Sequence, residues 1–362
     1  MGKSSASEGT ERQESSEVSG CTPRRGRGHR VARGATFCLA LGSALAFISA
    51  YQPPHSFERQ PFAPDSAFGD VLPATHLVPI SVGRSGAVHM EFALPGARVA
   101  HPVSVNVSGQ PSASLAYTWE LVGDSVSIDS LRSLSGDSLV APREPGLYRL
   151  ALVADGLRRV VDGITLAVLV PFDHKKGPVL DGYRIGTYVA ERRGGDEHYR
   201  PLGFVKVTEN EVELPMSEHL VLGDLLSRDG QKSWPRFIAV NPRVVDKLEL
   251  VVERVSSKLR DSNVDLRVSI HSGYRTPAHN RRVPRAASDS RHQYGDALDV
   301  AIDANGDGRL TARDARLVAA AVDSVEAEFP DLVGGVGVYT SSRYRQPYVH
   351  IDVRGSRVRW RG

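Results

Sequence analysis

The residues best suited to chemistry lie in one stretch, between positions 272 and 350. It holds His292, Asp299 and His350, two imidazoles and a carboxylate, each in or beside a segment with strand periodicity. Alternate side chains of a strand face opposite ways. In Ala297–Ile302 the apolar Leu298, Val300 and Ile302 share one face, and Asp299 takes the other between two alanines. At 348–353, Val349, Ile351 and Val353 share a face, while Tyr348, His350 and Asp352 occupy the opposite one. As neighbours in a sheet, these segments would aim Asp299 and His350 into one cleft. Gly295, in the Gln-Tyr-Gly turn at 293–295, would let the chain fold back so that His292 meets Asp299. Two His and one carboxylate, with a fourth position left to water, make a catalytic zinc arrangement; structural sites close all four positions, often with Cys. No Cys lies in this stretch. The competing reading is a pair of ordinary strands with polar ends, but a buried Asp299 without a partner would be costly.

Four motifs succeed one another here: Ser-Gly-Tyr-Arg-Thr-Pro at 272–277, Ser-Arg-His-Gln-Tyr-Gly-Asp-Ala-Leu-Asp at 290–299, Gly-Gly-Val-Gly at 334–337 and Val-His-Ile-Asp at 349–352. In that order they resemble the zinc D-alanyl-D-alanine peptidase family of the hedgehog/DD-peptidase fold. The resemblance is greatest to murein endopeptidases whose last motif runs from Gly-Gly-Val-Gly-x-Tyr to His-Ile-Asp, and it covers roughly residues 216–362. It implies an α+β catalytic domain with an antiparallel sheet, and peptidoglycan as substrate and partner. It also implies zinc on His292, Asp299 and His350, with Arg275 holding substrate and the developing oxyanion. Tyr274 and Asn280 are expected to shape the substrate pocket. The chain departs from the family at the general base. Many members carry Glu three residues before the last His, where this chain has Pro347; another branch has His two before, where it has Tyr348. Asp352, on the same face as His350, is the candidate. It would either take the proton from water or orient the ligand imidazole.

The elements that must position these residues are legible around them. Asn241-Pro242 reads as a helix start, and Val244, Leu248, Val251, Val252, Val255 and Leu259 then fall on one face. Val264, Leu266, Val268 and Ile270 alternate as a strand leading to Arg275. Between the ligand strands, residues 303–314 match a calcium-loop pattern except at the last ligand, where Asp314 stands in place of Glu. Asp303, Asn305, Asp307, Thr311 and Asp314 offer side-chain oxygens, Arg309 its carbonyl, and Gly308 stands at the turn. Calcium would brace the connection structurally. The competing reading is an Asx-rich turn capping the next helix, with Val318, Val322, Val325 and Phe329 on its stripe.

The chain has 362 residues, 24% of them charged, and a net charge of +3. That length suggests two folded domains, and the small charge argues against nucleic acid as a partner. Residues 1–33 read as a disordered basic cytosolic leader. Arg24, Arg25, Arg27, Arg30 and Arg33 precede an uncharged run at 34–52, the layout of a transmembrane anchor or signal peptide. The chain beyond that run would lie in the cell envelope outside the cytoplasm, or be secreted if the signal is cleaved. Cys21 and Cys38 leave that exported part without cysteine. Residues 53–75 read as a linker, 76–170 as an all-β immunoglobulin-like sandwich with Trp119 in its core, 171–215 as a β-rich connecting extension, and 216–362 as the zinc peptidase domain. The expected activity is hydrolysis of peptidoglycan stem peptides or cross-links, as a D,D-carboxypeptidase or murein endopeptidase. The competing class is a zinc-containing wall-binding protein with weak or no catalysis.

Overall fold

Alternating apolar runs give the first half of the described chain its strands. The computed structural model describes residues 75–79, 89–100, 103–107, 116–123, 130–134, 138–154, 157–193, 199–259, 266–341 and 346–362. The leader, the apolar run at 34–52 and most of the linker lie outside the described residues. Among the described residues no helix is long and apolar enough to cross a membrane. Strands β1 (His89–Ala93), β2 (Ala116–Leu121), β3 (Arg132–Ser133), β4 (Gly146–Ala154) and β5 (Leu157–Val168) form one sheet in the order β1-β5-β4-β2-β3. β1 joins β5 in parallel and the other pairs are antiparallel. Trp119 on β2 is 1% exposed and donates its indole N–H to the Val140 carbonyl at 2.8 Å. A buried indole needs such a partner, and this bond ties the sheet to the short ladder of Arg98–Ala100 with Ser138–Val140. The expected immunoglobulin-like sandwich falls partly on residues outside the described ones.

The connecting segment packs inward. Val170–Pro171, Gly203–Val207 and Arg236–Ile238 form a three-stranded sheet. Tyr183, Ile185, Tyr188 and Phe204 are buried in the same cluster as Phe237, Tyr274 and Tyr294. Within the expected β-rich extension, Tyr183–Arg184 pairs only with Val179–Leu180, and the helix Val189–Arg193 comes next.

In the C-terminal region, Asn241 caps helix α1 (Pro242–Ser256) by accepting from the Arg243 N–H at 3.1 Å. The apolar stripe of α1 is buried, each full Val or Leu contributing about 1.5–3 kcal/mol. Strands β6 (Val268–Ser272), β7 (Ala297–Ile302), β8 (Gly335–Tyr339), β9 (Tyr348–Asp352) and β10 (Val358–Arg361), with helix α2 (Ala312–Glu328) between β7 and β8, complete the region. The sheet order is β6-β7-β9-β8-β10. Leu298, Val300, Val336, Val349 and Ile351 join the cluster formed with α1 and α2. The other side carries Asp299 and His350. The sheet is mixed and not antiparallel throughout, because β10 runs parallel to β8. The chain reverses after β9 through a turn at Gly355 (φ 80°) and returns outside β8, which is already antiparallel to β9.

Candidate metal centre

Register builds the site. β7 and β9 place Asp299 opposite His350, and β6 places Ser272 opposite Asp299. His292 comes from the turn Arg291–Tyr294, which ends on Gly295 in a left-handed conformation, φ 72°. A Cβ on Gly295 would lie 2.2 Å from the Ala239 carbonyl oxygen, so the turn closes only with glycine. Nε2 of His292 lies 3.2 Å from Oδ1 of Asp299 and 3.1 Å from Nδ1 of His350. Nδ1 of His350 lies 2.9 Å from the same carboxylate oxygen. All three residues are buried.

The hydrogen bonds on the far side of each ring decide what these atoms can do. His292 gives its Nδ1 proton to the Gly273 carbonyl at 2.7 Å, and His350 gives its Nε2 proton to Asp352 at 3.1 Å. In neutral rings, Nε2 of His292 and Nδ1 of His350 are then lone pairs, facing each other and a carboxylate oxygen. Three acceptors cannot satisfy one another, whereas a cation between them satisfies all three. Zinc bonds of 2.0–2.1 Å at tetrahedral angles would set ligand atoms about 3.3 Å apart, close to the separations found. The residues fit zinc. Burial alone would raise the pKa of Asp299, but the imidazoles of His292 and His350 hold it well below the usual carboxylate range. Burial pushes His292 down, while for His350 the carboxylates of Asp299 and Asp352 outweigh burial and push it up.

Behind His350 stands Asp352, which is 0% exposed. One carboxylate oxygen accepts from His350 and Arg354; the other accepts from Arg354 and from the Gly335 N–H at 2.7 Å. These bonds outweigh burial and keep Asp352 charged far below the ordinary range. Its main-chain carbonyl accepts from Nζ of Lys247 at 2.7 Å, and Lys247 also bonds Glu326 at 2.7 Å. Of the two roles expected for Asp352, this geometry serves the orientation of His350. Both of its oxygens accept hydrogen bonds and the residue is buried. The Gly-Gly-Val-Gly motif is explained by the same packing. A Cβ on Gly334 would sit 1.8 Å from the Asp352 carbonyl oxygen, and one on Gly337 would sit 2.4 Å from the Trp360 indole.

Arg275 donates to the second oxygen of Asp299 and, through Nε at 2.8 Å, to Ser272. It therefore turns Oδ1 of Asp299 toward the imidazoles. Tyr274 and Asn280, expected to shape a substrate pocket, are both buried. The Tyr274 hydroxyl bonds that of Tyr188 at 2.9 Å, and Asn280 donates to the Ala287 carbonyl at 2.9 Å.

The 303–314 loop satisfies its own oxygens. Asp303 accepts from the Gly308 N–H at 2.7 Å and the Asp307 N–H at 3.2 Å, and Asp307 accepts from the Arg309 N–H at 2.9 Å. Asp314 accepts from the Asn305 N–H at 3.2 Å and from Thr311, closing the capping box of α2. The turn-and-cap reading accounts for each carboxylate, and the geometry lends calcium no support. Among the described residues, two groups bring at least three potential ligand side chains within 4.8 Å of one another: the His292 cluster and Glu218–His219–Glu249. In the second, His219 and Ser217 both bond Glu249, which pins that loop to α1.

Sequence reasoning did not assign Lys247, Glu326, Arg354 or Trp360. Lys247 left a trace, as a charge on the apolar stripe of α1 beside Val244 and Leu248.

Fold and site together define an α+β domain with a buried His–Asp–His group that could hold a metal ion, on one face of a helix-backed sheet. Residues 238–325 match the family described as Peptidase M15, a family of zinc-dependent peptidases. The match spans α1, Arg275, His292 and Asp299 and ends within α2, before the strand that carries His350. No curated protein and no solved structure matches the chain.

Proposed function

We propose that the C-terminal region is a zinc peptidase that hydrolyses stem peptides or cross-links of peptidoglycan, as a D,D-carboxypeptidase or a murein endopeptidase. The observation that carries this reading is the convergence of His292 Nε2 and His350 Nδ1 on Oδ1 of Asp299, with His292 and Asp299 inside the stretch that matches Peptidase M15. When bound, zinc supplies Lewis acidity that polarises a carbonyl and makes water acidic near neutral pH. His292, Asp299 and His350 would hold it, Asp352 fixes the tautomer and direction of His350, and Arg275 fixes Asp299. The Arg275 guanidinium also brings positive charge to the edge of the site, where it would favour a developing oxyanion or a substrate carboxylate. Action on the wall would place this region outside the cytoplasm, tethered through the run at 34–52 or released from it.

Incubating the purified protein with muropeptides, with and without chelator, tests the reading, and mass spectrometry of the products names the bond cut. Chelator-sensitive cleavage is expected. Pro347 in place of a carboxylate, and the committed state of Asp352, favour one rival: a zinc-containing protein that binds wall peptides without turnover. Muropeptide binding with no product would establish that rival and defeat the peptidase.

A further inference from the structure

Hydrolysis of an amide needs a group that moves one proton, and the carboxylates at this centre are engaged. Asp299 faces the imidazoles and Arg275, and Asp352 is sealed behind His350. We propose that His271 is the proton carrier of the site; this rests on the peptidase reading above.

His271 sits at an irregularity of β6. Ile270 pairs with Val300 and Ser272 with Asp299, so His271 is the extra residue between them. A bulge breaks alternation and re-aims a side chain. The His271 ring lies 5.3 Å from the ring of Tyr348. Tyr348 is two residues before His350 on β9, hence on the same face of the sheet, and it stacks on Tyr339 with ring centres 4.5 Å apart. The imidazole thus reaches across β7 to Tyr348, on the face that carries Asp299 and His350. Three groups face it: the Asp299 carboxylate from β7, the Tyr348 phenol from β9, and Arg228, which donates to the Ile270 carbonyl at 3.2 Å. Burial lowers its pKa, Asp299 opposes that shift and Arg228 adds to it.

The step balances without a further reagent. A ring nitrogen of His271 takes one proton from the attacking water as its oxygen bonds to the amide carbon. The imidazolium then returns that proton to the amide nitrogen as the carbon–nitrogen bond breaks. The new carboxylic acid ionises and the amine takes up its proton, leaving His271 neutral.

The test compares wild type, His271→Ala and His271→Gln by zinc stoichiometry, the pH profile of muropeptide cleavage, and rescue of His271→Ala by added imidazole. We expect full zinc content, a kcat lowered about 10²–10⁴-fold, an altered acidic limb and partial rescue. Unchanged kcat, loss of zinc in parallel with activity, or an unaltered pH profile without rescue would each overturn the assignment. A wild type with no chelator-sensitive cleavage would overturn the peptidase reading and His271 with it. An active wild type with an equally active His271→Gln overturns this proposal alone.

Discussion

Asp352 and Asp296 lie near each other in the fold, yet their surroundings drive their pKa values in opposite directions. Asp352 is held ionised by His350, Arg354 and the Gly335 N–H. Replacing it with Asn would remove the charge that fixes the His350 tautomer and leave Arg354 without its carboxylate. Zinc affinity should fall about 10–100-fold, measured by competition with a chromophoric chelator, whereas His350→Ala should abolish tight binding. Unchanged affinity in Asp352→Asn would refute the orienting role. Asp296 is pushed up to about 6, chiefly by burial, against the bonds from Asn241 and Tyr199. Its folded form holds a proton that the unfolded chain has already released between pH 4 and 6. Stability should therefore fall as pH rises through that window, by up to roughly 3 kcal/mol. In Asp296→Asn this fall should be smaller, which urea unfolding at pH 4, 5 and 6.5 can measure; equal slopes in both proteins would count against it. At this scale parity made much of the site readable, since it put Asp299 and His350 on one face. It could not show which oxygen of Asp352 meets which donor, because that depends on Gly335 and Arg354 arriving from other turns.

Among the elements, β8 is the one whose sequence is least free. Gly337 lies opposite His350 on one side and Trp360 on the other, and the Trp360 indole covers the space a Cβ would need. Gly337→Ala should cost about 1–3 kcal/mol through overpacking. Combined with Trp360→Ala it should cost less than the two separate changes summed, because the overlap is gone. Thermal or denaturant unfolding of the three variants checks this, and strict additivity would argue that β8 and β10 are not so packed. The Gly-Gly-Val-Gly string was visible in the sequence, but its reason was not. The groups that exclude a side chain lie on β9 and β10, and nothing local announces that β10 returns parallel to β8. The same distance effect hid Lys247. Its partners, Glu326 on α2 and the Asp352 carbonyl on β9, meet it only in the folded core. Lys247→Met should cost about 3–5 kcal/mol, as expected when one half of a buried ion pair is removed.

At the scale of the molecule, the question is where the folding unit that carries His292, Asp299 and His350 begins. The resemblance to zinc peptidases puts a boundary near 216, with a β-rich connecting extension before it. The packing places it earlier. Phe172, Leu180, Tyr183, Ile185, Tyr188, Phe204, Val205 and Val207 are all buried in the cluster that contains Phe237, Tyr274, Tyr294 and the α1 stripe. Tyr188 reaches Tyr274, the residue before Arg275, through a 2.9 Å hydroxyl bond. Losing that set forfeits about 1.5–3 kcal/mol for each large apolar side chain, a sum beyond the 5–15 kcal/mol that holds a typical domain folded. A fragment of residues 216–362 should therefore lack cooperative unfolding and bind zinc poorly. One of residues 169–362 should retain both, because it keeps Val170–Pro171, Gly203–Val207 and Arg236–Ile238 in their common sheet. Near-UV circular dichroism, thermal unfolding and zinc titration of the two fragments decide it. If the shorter fragment melts cooperatively at the temperature of the longer one, the segment before 216 is an accessory and not part of the core that holds the metal centre.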